Sequence, residues 1–240
     1  MKPHFRISVI ALLTIFVVSC DNDNNGNVIT PFDPTISEFV TANSDYSLLL
    51  AALERTNLTT TLNGTDDFTV FAPNNAAFAT FLNDNGFASL DDAPEDVLRN
   101  VLLNHVVSGT NASQNLTTGY INSLAVYGTT SNNLSLYMDL SSGVAINGVS
   151  NVTAADVAVS NGVVHAVDAV IGLPPVVTFA LADPTFDTFA AALTRADQPD
   201  FVSALVTSLG STPAPFTVFA PTNDAFSALL TELSLGTLTI

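Results

Sequence analysis

The chain has 240 residues, 48% hydrophobic and only 11% charged, with five basic side chains against 22 acidic ones and a net charge of −17. That much apolar surface excludes disorder for the bulk of the chain, and the length suits one large domain or two smaller ones. The scarcity of cations excludes a phosphate-binding patch, and nucleic acid with it, while a single cysteine excludes an internal disulfide.

Lys2 and Arg6 make the first six residues positive, and residues 7–18 form an almost unbroken apolar run. A membrane-spanning helix needs roughly 20 apolar residues, so this run has the length of a signal-peptide core instead. It ends in Val17-Val18-Ser19-Cys20, which resembles the lipobox of bacterial lipoproteins. The resemblance implies a signal peptide over 1–19, cleavage before Cys20, and a lipid anchor on Cys20. Several acyl chains on one residue anchor stably, where a single chain does not. Removing residues 1–19 leaves three basic and 22 acidic side chains, a net charge of −19. Such a surface is repelled by anionic membranes, so attachment is expected through the lipid alone. Residues 20–32 read as a polar tether. Asp21 to Gly26 fits the opening of a calcium-loop pattern, but the twelfth position, which calls for a bidentate Glu, is Phe32. No metal site is expected there.

Residues 46–55 place Leu48, Leu49, Ala52 and Leu53 on one helical face, with Ser44 or Asp45 as the cap. Residues 68–72 are rich in large and β-branched side chains and read as a strand that Pro73 stops. Asn74 or Asn75 caps a helix through Phe78, Phe81 and Leu82 to a stop at Gly86. Pro94-Glu95-Asp96 opens another helix, which runs to about His105. From residue 106 to 170 the period changes to two. Short β-rich runs at 125–127, 134–138, 144–146, 157–159 and 163–170 predict an antiparallel sheet, and Asn161-Gly162 predicts a hairpin turn. Helices first and strands later point to the α+β class.

The sequence repeats. Residues 68–78 read FTVFAPNNAAF and residues 216–226 read FTVFAPTNDAF, with nine of 11 positions identical. Residues 50–55 are echoed by residues 190–195. The offsets are 148 and 140 residues, so each copy is expected to span about 140 residues. This predicts one unit over 33–175 and the N-terminal half of a second over 176–240, as in a fragment of a longer protein. The matching positions are Phe71, Pro73, Asn75 and Phe78 in the first copy and Phe219, Pro221, Asn223 and Phe226 in the second.

Three blocks together resemble the fasciclin domain family: residues 69–78; Leu102-Leu103-Asn104-His105-Val106-Val107; and residues 161–174, which open with Asn161-Gly162 and contain Val164-His165-Ala166. An aromatic usually precedes the histidine of the central block, and here that position is Asn104. The resemblance implies a wedge-shaped β-sandwich with helices packed at one side, repeated in tandem. It also implies an extracellular or surface-attached adhesion module that contacts protein or matrix.

The residues themselves say less about chemistry. Phe71 and Phe78 read as core, because large apolar side chains are usually buried. Pro73, Asn75, Asn161 and Gly162 read as folding elements. Once the signal is removed, His105 and His165 are the only histidines left. At a helix end a protonated His105 would be favoured by the dipole. A metal would need a third ligand, and Asp168 lies on the opposite face of the strand from His165. Both histidines therefore read first as hydrogen-bonded structural groups. Asn104, His105 and His165 are also the candidates for an interaction site. No G-x-S-x-G, H-E-x-x-H, Walker A or G-x-G-x-x-G motif occurs, and no catalytic residue or cofactor is assigned. The expected function is a lipid-anchored, non-catalytic binding module in the cell envelope, at the outer membrane or cell surface, with a protein, matrix or glycan ligand. The alternatives are an envelope hydrolase acting on a polymer, or a spacer in a multidomain array.

Overall fold

A computed structural model describes residues 33–128, 130–206 and 216–235. The expected signal peptide over 1–19, Cys20 and the expected tether over 20–32 lie outside the described residues. The first helix, α1 (Ile36–Ala42), starts at a reciprocal cap in which Thr35 accepts from the Glu38 N–H and Glu38 accepts from the Thr35 N–H. This T-x-x-E signature is legible in the sequence, yet the periodicity reading passed over it. A 3-10 turn, Ser44–Tyr46, capped by the Asn43 side chain, leads into α2 (Ser47–Arg55), so that neither Ser44 nor Asp45 caps that helix. After a short α3 (Thr59–Leu62) come β1 (Phe68–Pro73), α4 (Asn75–Asp84), capped by Asn74, and α5 (Glu95–Leu103), which begins after Pro94.

The remaining strands are β2 (Val106–Ser108), β3 (Gly119–Val126), β4 (Asn133–Asp139), β5 (Ala145–Ile146), β6 (Ser150–Val159) and β7 (Gly162–Val167). All seven hydrogen-bond in one order, β2-β1-β7-β6-β5-β4-β3. The sandwich is thus one sheet folded on itself. The β5–β6 ladder pairs only two residues, and two register shifts bend β6, so that this strand belongs to both halves. The fold brings the edge strands β2 and β3 back into contact.

The ladders that join β3 to β7 are all antiparallel, as the alternation over residues 106–170 predicts, but β1, outside that stretch, pairs with β7 in parallel from Phe68↔Gly162 to Pro73↔Val167. Local alternation cannot reveal this. A parallel pair needs a long crossover, and here α4, α5 and five strands intervene.

β1 is buried on both faces. Phe68, Val70 and Ala72 join Leu49, Leu53, Phe78, Leu98 and Leu102 in a core between sheet and helices. Phe71 faces the other way, with Leu136, Met138, Ile146 and Val167, in a second core between the two halves of the sheet. Gly162 opens β7 at φ +138, where a Cβ would sit 1.8 Å from the Phe68 carbonyl oxygen. Only glycine allows β7 to approach β1 there.

The second copy contains α6 (Val176–Ala182), a 3-10 turn Pro184–Phe186, α7 (Asp187–Leu193), α8 (Phe201–Leu205) and α9 (Asn223–Glu232). Its FTVFAP stretch forms no strand, and Phe219, the counterpart of fully buried Phe71, is 92% exposed. In the first copy that strand exists because β2 and β7 flank it. Among the described residues no strand flanks the second. No single described helix is long and apolar enough to cross a membrane, and α6 and the helical stretch Pro184–Leu193 meet at a 94° bend.

Two stability predictions follow from β1. Phe71→Ala is expected to cost about 3–5 kcal/mol, and Phe219→Ala less than about 0.5 kcal/mol, in urea denaturation of the full chain. Gly162→Ala combines a strained backbone with a clash and is expected to cost roughly 3 kcal/mol or more in the same measurement.

Candidate binding site

The three sequence candidates are interior. Asn104 and His165 have no exposed surface and His105 is 2% exposed. Such burial demands partners for every polar atom, and each side chain has them.

Asn104 ends α5. Its amide nitrogen donates to the carbonyls of Gly172 (2.9 Å) and Ile171 (3.4 Å), and its oxygen accepts from the Ser123 hydroxyl at 2.8 Å. This buried amide is satisfied by polar partners from β3 and from the segment after β7. His105 Nδ1 donates to the Val101 carbonyl at 2.8 Å, and Nε2 accepts the Ile171 N–H at 2.8 Å. The two adjacent residues therefore grip both sides of Ile171. The Ile171 N–H fixes the tautomer, because an Nε2 that accepts carries no proton. Burial pushes the His105 pKa down to about 4, against a smaller upward pull from the Val101 carbonyl. Desolvation thus outweighs the preference of a helix end for a protonated imidazole, and the ring is neutral.

His165 lies on the inter-sheet face of β7, stacked on Phe71 with ring centroids 5.6 Å apart. Its Nδ1 accepts from the Asp156 N–H at 3.2 Å, so Nε2 carries the proton and donates to the Asn111 carbonyl at 3.0 Å. The Asn111 N–H donates to Thr69 Oγ1 at 2.8 Å, and the Asp156 carboxylate accepts from the Ser113 N–H at 2.7 Å and from its hydroxyl. Those hydrogen bonds hold the Asp156 pKa below the usual carboxylate range. Asp156 itself sits at φ 60, a strained position that these contacts support. The β2–β3 loop, residues 109–118, is thereby pinned to the sheet by a buried histidine. Its outer side presents Thr110, Gln114, Asn115, Thr117 and Thr118, uncharged hydrogen-bonding groups on a braced backbone.

Asn161 does more than form the predicted hairpin. It is 4% exposed; its oxygen accepts the Ile36 N–H at 2.9 Å and its nitrogen donates to the Leu62 carbonyl at 2.8 Å, stitching α1 and α3 to the sheet. Asn75 acts likewise. It accepts the Leu48 N–H at 2.9 Å and donates to the Ser44 carbonyl at 2.9 Å. Asn223 repeats this in the second copy, accepting the Thr188 N–H at 2.9 Å and donating to the Pro184 carbonyl at 2.8 Å. The polar residues Thr69, Asn111, Ser123 and Asp156 escaped the sequence reading, because no local pattern marks them. Arg55 donates to the Leu90, Asp91 and Ala93 carbonyls and Arg99 to that of Thr56, so the first copy's cations serve the backbone.

Two cavities bear on chemistry. One of about 400 Å³ lies in the second copy among Phe189, Leu193, Phe201 and Phe226, and one of about 290 Å³ lies between α4 and residues 149–170. Neither is lined by a histidine. Among the described residues no three His, Cys, Asp or Glu side chains cluster to hold a metal.

A pH prediction follows from His105. Its ordinary pKa is 6.5 and its folded pKa about 4. Between those values the unfolded chain binds the proton and the folded chain does not, so the stability linked to this residue is intact above pH 6.5 and falls as pH drops toward 4. At pH 4.5 the wild type is expected to have lost roughly 2–3 kcal/mol by this route. Urea titrations across pH 7 to 4.5 should show that share of the decline missing in His105→Gln.

The fasciclin domain profile matches residues 44–174 and 184–238. Protein sll1483 from Synechocystis sp. is 35% identical over 141 residues, which cover 59% of this chain and 74% of that protein. Transforming growth factor-beta-induced protein ig-h3 from Sus scrofa is 30% identical over 177 residues, 71% of this chain but 25% of that protein. Among solved structures, a FAS1 domain pair from the insect cell adhesion molecule fasciclin I aligns at a TM-score of 0.46 with 20% identity, over 81% of this chain and 64% of that one. The profile spans both copies, including all three blocks of the first, and the chain belongs to the fasciclin domain family.

Proposed function

We propose that the chain is a non-catalytic adhesion module of the cell envelope, held by lipid on Cys20 and binding through the β2–β3 loop of its first fasciclin unit, residues 33–175. Residues 176–240 begin a second unit of the same kind. The observation that carries this reading is the brace beneath the loop: His165, Asp156 and Thr69 fix residues 109–118 from below. Pre-ordering a loop lowers the entropy cost of binding. Its exposed amides and hydroxyls match the hydrogen-bonding groups of a glycan or a protein backbone better than they match a charged ligand. Membership of the fasciclin domain family supports the class of function. Asn104, His105 and His165 act in this reading as positioning residues, working through the segments they grip.

The test is a screen of the full chain against immobilised glycans and matrix proteins, beside an unrelated protein of equal charge. Retention of the parent, reduced at least tenfold by Gln114→Ala/Asn115→Ala at unchanged thermal stability, is the expected result. Equal retention of both proteins, or no effect of the loop changes, would reject the assignment. Metabolic palmitate labelling lost in Cys20→Ala checks the anchor.

A further inference from the structure

The first copy ends in a stapled strand of chain. Asn104 and His105 grip Ile171 and Gly172, and Leu173-Pro174-Pro175 then leads directly into α6. Two consecutive prolines restrict φ and leave little freedom for the link. Beyond it, α6 does not stand clear of the first copy. Tyr120, on β3, donates its phenol to Asp183 Oδ2 at 2.8 Å, just past the end of α6. The Tyr120 ring lies 5.1 Å from that of Tyr137 on β4 and meets Phe179 of α6 edge-on at 5.8 Å. At the turn after β5, Gly148 comes so close to α6 that an added Cβ would lie 3.4 Å from the Ala182 Cβ. Val177 and Ala180 of α6 are buried, and so is Asp183, at 7% exposure.

The repeat supplies an independent observation. Asp183 stands 140 residues after Asn43, the offset that relates the two copies in this region. Both side chains cap the 3-10 turn that follows them: Asn43 Oδ1 accepts the Asp45 N–H at 3.1 Å, and Asp183 Oδ1 accepts the Thr185 N–H at 2.9 Å. Capping needs one oxygen. In the first copy the second position is an amide nitrogen. In the second copy it is a second carboxylate oxygen, and that oxygen takes the phenol. The exchange of amide for acid therefore falls where the second copy meets the first.

We infer that the β3–β4 face of the first fasciclin unit, centred on Tyr120, Tyr137 and Gly148, is a docking surface for the leading helix of the following unit, with Asp183 as its specific acceptor. The two units are then held at one fixed angle. Burial alone would raise the Asp183 pKa, but hydrogen bonds from Thr185 and Tyr120 outweigh it and hold the value low, so the acceptor stays charged near neutral pH. A charge-assisted bond of this kind is about twice as strong as a neutral one. The aromatic contacts exclude water from one side of it.

The inference needs no ligand, so it stands or falls apart from the adhesive reading. Its test is the distance between spin labels at Ala155→Cys, exposed on β6, and Ala228→Cys, exposed on α9, in the full chain carrying Cys20→Ser. A single narrow distance distribution is expected. Tyr120→Phe/Phe179→Ala should broaden it at least twofold while the circular dichroism of the first unit is unchanged. Should the double variant lose its fold, Tyr120→Phe alone carries the test and is expected to broaden the distribution measurably. A broad distribution in the parent, or one that stays narrow in the folded variant, would overturn the inference.

Discussion

A buried amide or imidazole that lacks a partner costs more than its hydrogen bonds return when paired, and this requirement organises the molecule. Asn104 and His105 lie at the end of α5, wholly inside, and between them they need an N–H and several carbonyls. Val101 supplies one carbonyl from within the helix; Ile171 and Gly172 supply the others from 66 or more positions away. The closing segment can therefore run in only one place. Asn161 and His165 impose the same demand at the other end of β7, where they draw in α1, α3 and the β2–β3 loop. Among the described residues no buried side-chain nitrogen or oxygen lacks a partner. Apolar packing supplies most of the driving force for folding, but it is non-directional. The polar contacts select which packing is reached.

The two FTVFAP stretches separate what the preceding helices supply from what the later strands supply. Asn75 and Asn223 make equivalent bonds to a 3-10 turn and the helix after it, 27 and 31 positions upstream in the first copy and 35 and 39 in the second, because both copies contain those upstream elements. Phe71 and Phe219 have opposite fates, fully buried and 92% exposed. A strand is defined by its neighbours, and those of β1 come from residues 106–108 and 162–167. Nearly identical residues thus give a capped helix and the same asparagine bridge in both copies, and a strand in only one.

Surface chemistry and interior order are coupled through the same residues. Arg55 and Arg99 are spent on backbone carbonyls, which leaves an acidic, hydroxyl-rich exterior. Ligand contacts on such a surface must rest on hydrogen bonds and shape, and these are directional only when the backbone that carries them is held. His165 provides that hold for the loop, and the grip of Asn104 and His105 extends it through the proline link to the second unit.

From the sequence alone came the α+β class, most helix positions, the strand–Pro–Asn–helix block, the hairpin at Asn161-Gly162 and the internal repeat. These rest on periodicity, capping and turn chemistry, which act over a few residues. The sequence offered His105 and His165 both as hydrogen-bonded structural groups and as interaction-site candidates, and did not place either one. What it could not supply was the partners: the parallel pairing of β1 with β7, the neutral tautomer of His105, the Thr69–Asn111–His165–Asp156 brace, and the seat of α6 on β3 and β4. Each depends on groups brought together from distant parts of the chain, and on desolvation that exists only once the core has closed. A hydrogen bond to a side chain tens of positions away leaves no period in the sequence, so only the folded chain decides it.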